Sequence, residues 1–240
     1  VLVLLQESKG AERSGHTAPN HRITEKFSQV LEQTDHNRVF VSVYTQSVYR
    51  IQEIIECCIQ YDRPMIFYSK ELRELVANLE DFNVSIPKKL VLDPSYIKEA
   101  PDNVVVIISG QGKSLFKTMS NIANNEVEDI VFTQNDVIVI ASPVIPGVEK
   151  VFKSMENDIY KEEGTILVLD RNVLSMHPSK EDLKMMLFLM KPKYYIPVKG
   201  EYRHLYMNSE IALEMGYKPS QIILLDNGQV ATFENQKLRS

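Results

Sequence analysis

Two apolar runs constrain the fold of this chain more than any other feature. Asn103–Ser109 reads NVVVIIS and Asp136–Ser142 reads DVIVIAS. Both are short and rich in β-branched residues. The first lies between a Pro-Asp turn and a Gly-rich turn, as expected of a strand in the middle of a parallel sheet. Parallel strands need crossover connections, usually helices, and the flanking sequence supplies them. Helical stripes are expected at Thr24–Gln33 (Phe27, Val30, Leu31) and Ser47–Tyr61 (Ile51, Ile54, Ile55, Cys58, Ile59). Further helices are expected at Glu71–Leu79, Leu115–Ala123 and Val148–Glu163. Between them lie the strand-like segments Arg38–Tyr44, Met65–Tyr68, Lys89–Asp93 and Thr165–Leu169. Such alternation predicts βαβ units and an α/β fold, with a mostly parallel sheet covered by helices on both faces.

The ends of the chain read differently. Val1-Leu2-Val3-Leu4-Leu5 looks like a buried strand with no initiator Met and no lead-in, as expected of a fragment of a longer protein. Near the other end, Gln221–Leu225 and Gln229–Phe233 are expected to be strands of a hairpin turned at Asp226-Asn227-Gly228. With 240 residues the chain is long enough for a sizeable core in one or two domains. A net charge of −5 argues against a protein that coats nucleic acid nonspecifically, although a local basic groove remains compatible with it. The only cysteines, Cys57 and Cys58, are adjacent in a helical pattern and unsuited to bridging each other, which points to a reducing, cytoplasmic compartment. No apolar run reaches the ~18 residues of a membrane span.

Three features bear on chemistry. The Gly-rich turn Ser109-Gly110-Gln111-Gly112-Lys113-Ser114 fails the P-loop pattern, because Ile107 stands where a glycine is needed. It reads either as a plain tight turn or as a turn whose N–H groups and Lys113 face an anion. The five histidines, His16, His21, His36, His177 and His204, make no HxH, HxxxH or HExxH spacing, so a self-contained zinc site is not expected. The stretch from Val173 to Met215 places Ser175-Met176-His177 before a helix, then a strand Tyr194–Val198 that ends in Lys199-Gly200-Glu201-Tyr202-Arg203. Polar groups at strand ends are where α/β proteins bind ligands. Taken alone, His177 is either a solvated loop histidine or an oxyanion or proton donor. Glu7 is likewise a polar residue at the end of the first strand.

Together these segments resemble ribonuclease J, of the β-CASP branch of the metallo-β-lactamase superfamily. Lys191–Leu205 (KPKYYIPVKGEYRHL) is similar to the family's KPKYFIPVHGEYR, and Ser175-Met176-His177 to its SGH turn. Leu4–Glu12 resembles the LLSDSTNAE-type segment, and Tyr49-Arg50-Ile51-Gln52 the HRxQ of the first β-CASP helix. Ser109–Lys113 takes the place of TGSQGE, and Ser142–Gly147 resembles SSPIPGN.

The resemblance implies a Rossmann-like β-CASP domain at residues 23–163, flanked by pieces of a metallo-β-lactamase domain at 1–22 and 164–240. It implies that Glu7 and His177 are catalytic, with Glu7 holding the hydrogen-bond geometry of the site. It further implies that Ser175, Lys199, Lys113 and Arg50 bind substrate, with single-stranded RNA in a cleft between the domains. Full-length members use zinc or manganese. The HxHxDH run that supplies most ligands precedes the matched region, and Lys199 stands where the family has a ligating histidine, so this chain is expected to hold no metal itself. The implied function is metal-dependent RNA processing, in a homo- or hetero-oligomer with a paralogue. The alternative is a paralogue that binds RNA without cutting it, favoured by Lys199. An α/β small-molecule binder is a third reading, since fold does not fix function.

Overall fold

The structure is a computed structural model that describes residues 1–17, 22–79, 85–169 and 177–239. The chain divides into two compact units, Arg22–Leu174 and Val1–His21 with Ser175–Ser240.

The Arg22–Leu174 unit is built on a six-stranded parallel sheet. Its strands are β2 (Val39–Tyr44), β3 (Met65–Phe67), β4 (Val91–Leu92), β5 (Val105–Gly110), β6 (Val137–Ile140) and β7 (Thr165–Val168), in the order β4-β3-β5-β2-β6-β7. β2 is central and buried along its whole length, paired from Val39 with Val105 on one side and Val137 on the other. Successive side chains of a strand point to opposite faces, so each strand feeds two cores. Val39, Val41, Val43, Val105 and Ile107 pack under α1 (Thr24–Gln33), α2 (Val48–Gln60) and α3 (Lys70–Leu79). Phe40, Val106, Ile108, Ile138 and Ile140 pack under α4 (Gly112–Ala123) and α5 (Glu149–Lys161). The runs NVVVIIS and DVIVIAS are thus apolar throughout because both faces are covered. The helix α2 buries Ile51, Ile54, Ile55, Cys57 and Cys58, and the two thiols are free.

Two local expectations change in this unit. Lys89–Asp93 is a 3-10 turn, Lys88–Leu90, followed by the two-residue β4, because Pro87 and Pro94 confine it at both ends. Thr165–Val168 does not begin the return to the flanking unit. It is an edge strand of the six-stranded sheet, in register with β6 from Thr165↔Val137 to Val168↔Ile140. A short strand reads the same in either sheet; only Thr165 N–H to Asp136 O and Leu169 N–H to Ile140 O decide which one it joins.

In the other unit, β1 (Val3–Glu7) pairs in parallel with β8 (Tyr194–Val198), packed by α6 (Lys180–Met190) and α7 (Tyr202–Glu214). Its core is Ala11, Leu183, Leu187, Tyr195, Ile211 and Ala212. The first strand is half-buried rather than buried, and Leu5 is 62% exposed. The expected hairpin at Asp226–Gly228 is a turn that joins no paired strands. Ile222 bridges Tyr195 instead, and Ile223 N–H donates to Tyr195 O at 2.8 Å. The hairpin lies further on, between β9 (Phe233–Glu234) and β10 (Lys237–Leu238). Its turn residues Asn235 and Gln236 both have positive φ, as a two-residue hairpin turn requires.

Candidate functional site

The parallel pairing of β1 and β8 ends at Glu7↔Val198, so the residue after β8 emerges beside the last residue of β1. Ser8 N–H donates to Lys199 O at 3.3 Å, which extends the register by one step. Lys199 takes a left-handed conformation, φ 58, and Gly200 follows. A side chain at Gly200 would start 2.8 Å from His204 Cβ, so the turn into α7 needs glycine there. This geometry lays Lys199 over Glu7, and its Nζ donates to Glu7 Oε2 at 2.8 Å. His177, just ahead of α6, meets the other oxygen, with Nδ1 to Oε1 at 2.6 Å. One carboxylate therefore bridges an imidazole and an ammonium.

Burial by itself would push the Glu7 carboxyl up, but the hydrogen bond from Lys199 and the charge and hydrogen bond of His177 outweigh it and hold the group below its ordinary value. Lys199 is 58% exposed. A pair this open to water contributes about 1 kcal/mol or less to stability, so its significance lies in placement. Beneath Glu7, the fully buried Asn208 of α7 donates to Glu7 O at 3.3 Å and to Ser8 Oγ at 3.0 Å. Its own oxygen accepts from Tyr195 OH at 2.8 Å. A buried polar network with each member bonded rigidifies what it supports. Arg203 clamps both oxygens of Glu12, at 3.0 and 3.1 Å, on the outer side of the same turn.

Of the four residues expected to converge, Glu7, His177 and Lys199 meet, and Ser175 lies outside the described residues. Arg50 and Lys113 belong to the Arg22–Leu174 unit, on helices covering opposite faces of its sheet. Arg50 is 6% exposed, with its Nη1 on Ala141 O at 3.1 Å and its Nε without a protein partner among the described residues. Lys113 is exposed in the first turn of α4. The sequence signals the residues behind this site unevenly: Asn208 beneath Glu7, Thr17, whose hydroxyl donates to the His177 carbonyl at 3.2 Å, and Asp182, whose Oδ2 accepts from Thr17 N–H at 2.8 Å. Asn208 left a signal, a polar residue between Leu205 and Ile211 on a buried helix face; Ser179-x-x-Asp182 left another, a capping-box spacing. Thr17 left none.

The donor set does not suit a metal ion. Among the described residues no three His, Cys, Asp or Glu side chains gather closely enough to hold one. The third group at Glu7 is an ammonium, which carries no lone pair while protonated. His204 Nδ1, the nearest further imidazole along the turn, already accepts from Glu201 N–H at 3.0 Å.

Residues 36–159 match the family model "Ribonuclease J, beta-CASP domain", and residues 169–219 match "Zn-dependent metallo-hydrolase RNA specificity domain". Over the full chain the sequence is 32% identical to "Ribonuclease J2" of Bacillus subtilis, covering 43% of that protein. Over 95% of the chain it is 30% identical to "Uncharacterized protein MG423" of Mycoplasma genitalium and 26% identical to "Ribonuclease J" of Helicobacter pylori. It spans 40% and 33% of those two proteins, so less than half the length of each of these relatives. The β-CASP match alone takes in more than half of the residues, and it lies on the two-faced parallel sheet just described: the chain belongs to the ribonuclease J family.

Proposed function

We propose that the protein carrying this chain processes RNA as a ribonuclease J-type phosphodiester hydrolase, and that this chain contributes groups that hold single-stranded RNA. One observation carries the reading: a carboxylate bridging an imidazole and an ammonium at the adjoining ends of two paired strands. His177 and Lys199 both fall within the segment that matches an RNA specificity domain. An ammonium has three N–H groups and the bond to Glu7 uses one, so Lys199 can serve a phosphate oxygen without leaving Glu7. Glu7 sets the positions of both donors. His177 supplies an N–H or a proton at the scissile phosphate, and Ser175 a hydroxyl beside it. Lys113 is a further phosphate contact in this reading, supported by its exposure; Arg50, which the resemblance also implies as a phosphate contact, is buried against Ala141 O and its geometry lends that role no support. We place the protein in the cytoplasm, in an oligomer with itself or a paralogue; the buried, unbridged Cys57 and Cys58 support a reducing compartment.

The test is the affinity for single-stranded RNA across a salt series. Changing Lys199→Asn is expected to weaken binding by roughly 1 kcal/mol and to lower the salt slope by about one unit. Equal affinity and slope would remove Lys199 from the RNA site. The full-length protein is expected to degrade single-stranded RNA when supplied with zinc or manganese; binding without degradation would mark it instead as a non-cutting paralogue.

A further inference from the structure

His177 lies outside any helix or strand, so something else must hold its backbone. The segment after β1 does so. Arg13 Nη2 and Thr17 Oγ1 both donate to the His177 carbonyl, at 2.6 and 3.2 Å. The same Thr17 hydroxyl accepts from Ser179 N–H at 2.9 Å and lies 3.1 Å from Ser179 Oγ. A hydroxyl offers one donor and two acceptor positions, and these contacts use all three. Thr17 N–H donates to Asp182 Oδ2 at 2.8 Å, alongside Ser179 N–H at 2.9 Å on the same oxygen. Thr17 is 9% and Ser179 5% exposed, so these bonds are sheltered from water.

Starting α6 does not require Thr17. Ser179 and Asp182 already complete the capping box of that helix. Thr17 acts one step earlier, on the peptide of His177 itself. We infer that Thr17 is a positioning residue for His177, anchored by Asp182, and that its hydroxyl holds the His177 peptide where the imidazole reaches Glu7. The inference rests on the reading that His177 helps to hold RNA. Loss of the hydroxyl would free the His177 carbonyl from the Thr17 donor and let the ring leave Glu7, while the capping box of α6 stays intact.

A double-mutant cycle read by RNA affinity tests this. Fluorescein-labelled single-stranded RNA is titrated with the full chain, as wild type and as Thr17→Val, Thr17→Ser, His177→Ala and Thr17→Val with His177→Ala. Valine keeps the shape of threonine without the hydroxyl; serine keeps the hydroxyl. Thr17→Val is expected to weaken binding about fivefold, the size of one lost hydrogen bond, and Thr17→Ser to bind as wild type. In the His177→Ala background Thr17→Val is expected to add nothing, since its effect runs through that ring. Additive losses, or a Thr17→Ser variant as weak as Thr17→Val, would overturn the positioning role. If His177→Ala weakens binding and Thr17→Val does not, the inference fails while the RNA reading stands. If His177→Ala binds as wild type, the RNA reading itself fails. Should Thr17→Val not fold, as judged by its unfolding transition, Thr17→Ala, which also removes the hydroxyl and leaves Ser179 and Asp182 in place, goes through the same cycle with the same outcomes.

Discussion

Asp182 and Gly10 show how much of the site rests on single residues behind it. Burial alone would push the Asp182 carboxyl up, but hydrogen bonds from Thr17, from Ser179 N–H and from His16 bring it down to about 2. A carboxyl whose folded value lies below its unfolded one stabilises the fold above the unfolded value and loses that contribution as pH falls through the folded one. Thermal unfolding is therefore expected to show an acid limb between the ordinary carboxyl range and about 2 that Asp182→Asn flattens. After allowance for solvent screening the contribution is about 1 kcal/mol. An acid limb unchanged in Asp182→Asn would show that these bonds do not favour the carboxylate. Gly10 acts through space instead. A Cβ there would lie 1.8 Å from the Pro178 carbonyl oxygen, so the chain after Glu7 touches the His177 loop backbone to backbone. Gly10→Ala is expected to cost about 2–3 kcal/mol in denaturant unfolding, the cost of overpacking a contact that cannot yield. At Lys199, placing histidine is expected to create no tight metal site in this chain, because among the described residues Glu7 and His177 are the donors that stand nearby. Metal analysis of the dialysed Lys199→His variant checks this, and an equivalent of retained zinc would refute it.

Among the elements, α6 shows where periodicity stops being informative. Its sequence KEDLKMMLFLM is apolar around most of the helix, yet only Leu183 and Leu187 are buried. Met185, Phe188 and Leu189 stand 52%, 64% and 66% exposed. Because burial, and not hydrophobicity, sets the cost of truncation, Leu187→Ala is expected to lose about 2–4 kcal/mol. Phe188→Ser is expected to stay within about 0.5 kcal/mol of wild type. Equal losses at the two positions would mean that the outer face of α6 is covered in solution. The helix ends at Lys191 in a left-handed conformation, with Pro192 behind it, and that stop aims the chain into β8 and onward to Lys199.

For the molecule as a whole, the sheet in Arg22–Leu174 has a core on each face, made entirely of its own residues. Residues 22–174 produced alone are expected to unfold in one cooperative transition, followed by circular dichroism; a gradual, non-cooperative loss of signal would show that they depend on the remaining chain. The runs at Asn103–Ser109 and Asp136–Ser142 determined this part of the fold from sequence, because a strand covered on both faces must be apolar at every position. The same logic gave the helices α1, α2, α4 and α5, whose stripes follow 3.6-residue periodicity. The strand-end positions of Glu7 and Lys199 were also legible, since each closes a recognisable strand. Other features were not legible. The sheet that Thr165–Val168 joins depends on backbone bonds to Asp136 and Ile140, which no local pattern encodes. The true hairpin at Asn235-Gln236 lost out to the stronger local signal at Asp226–Gly228, because the decisive contact, Ile222 on Tyr195, is non-local. Glu7 and His177 are 170 residues apart in sequence. Strand pairing, a threonine hydroxyl and a backbone approach at Gly10 bring them within hydrogen-bond distance, and these are interactions between segments that only the folded chain brings together.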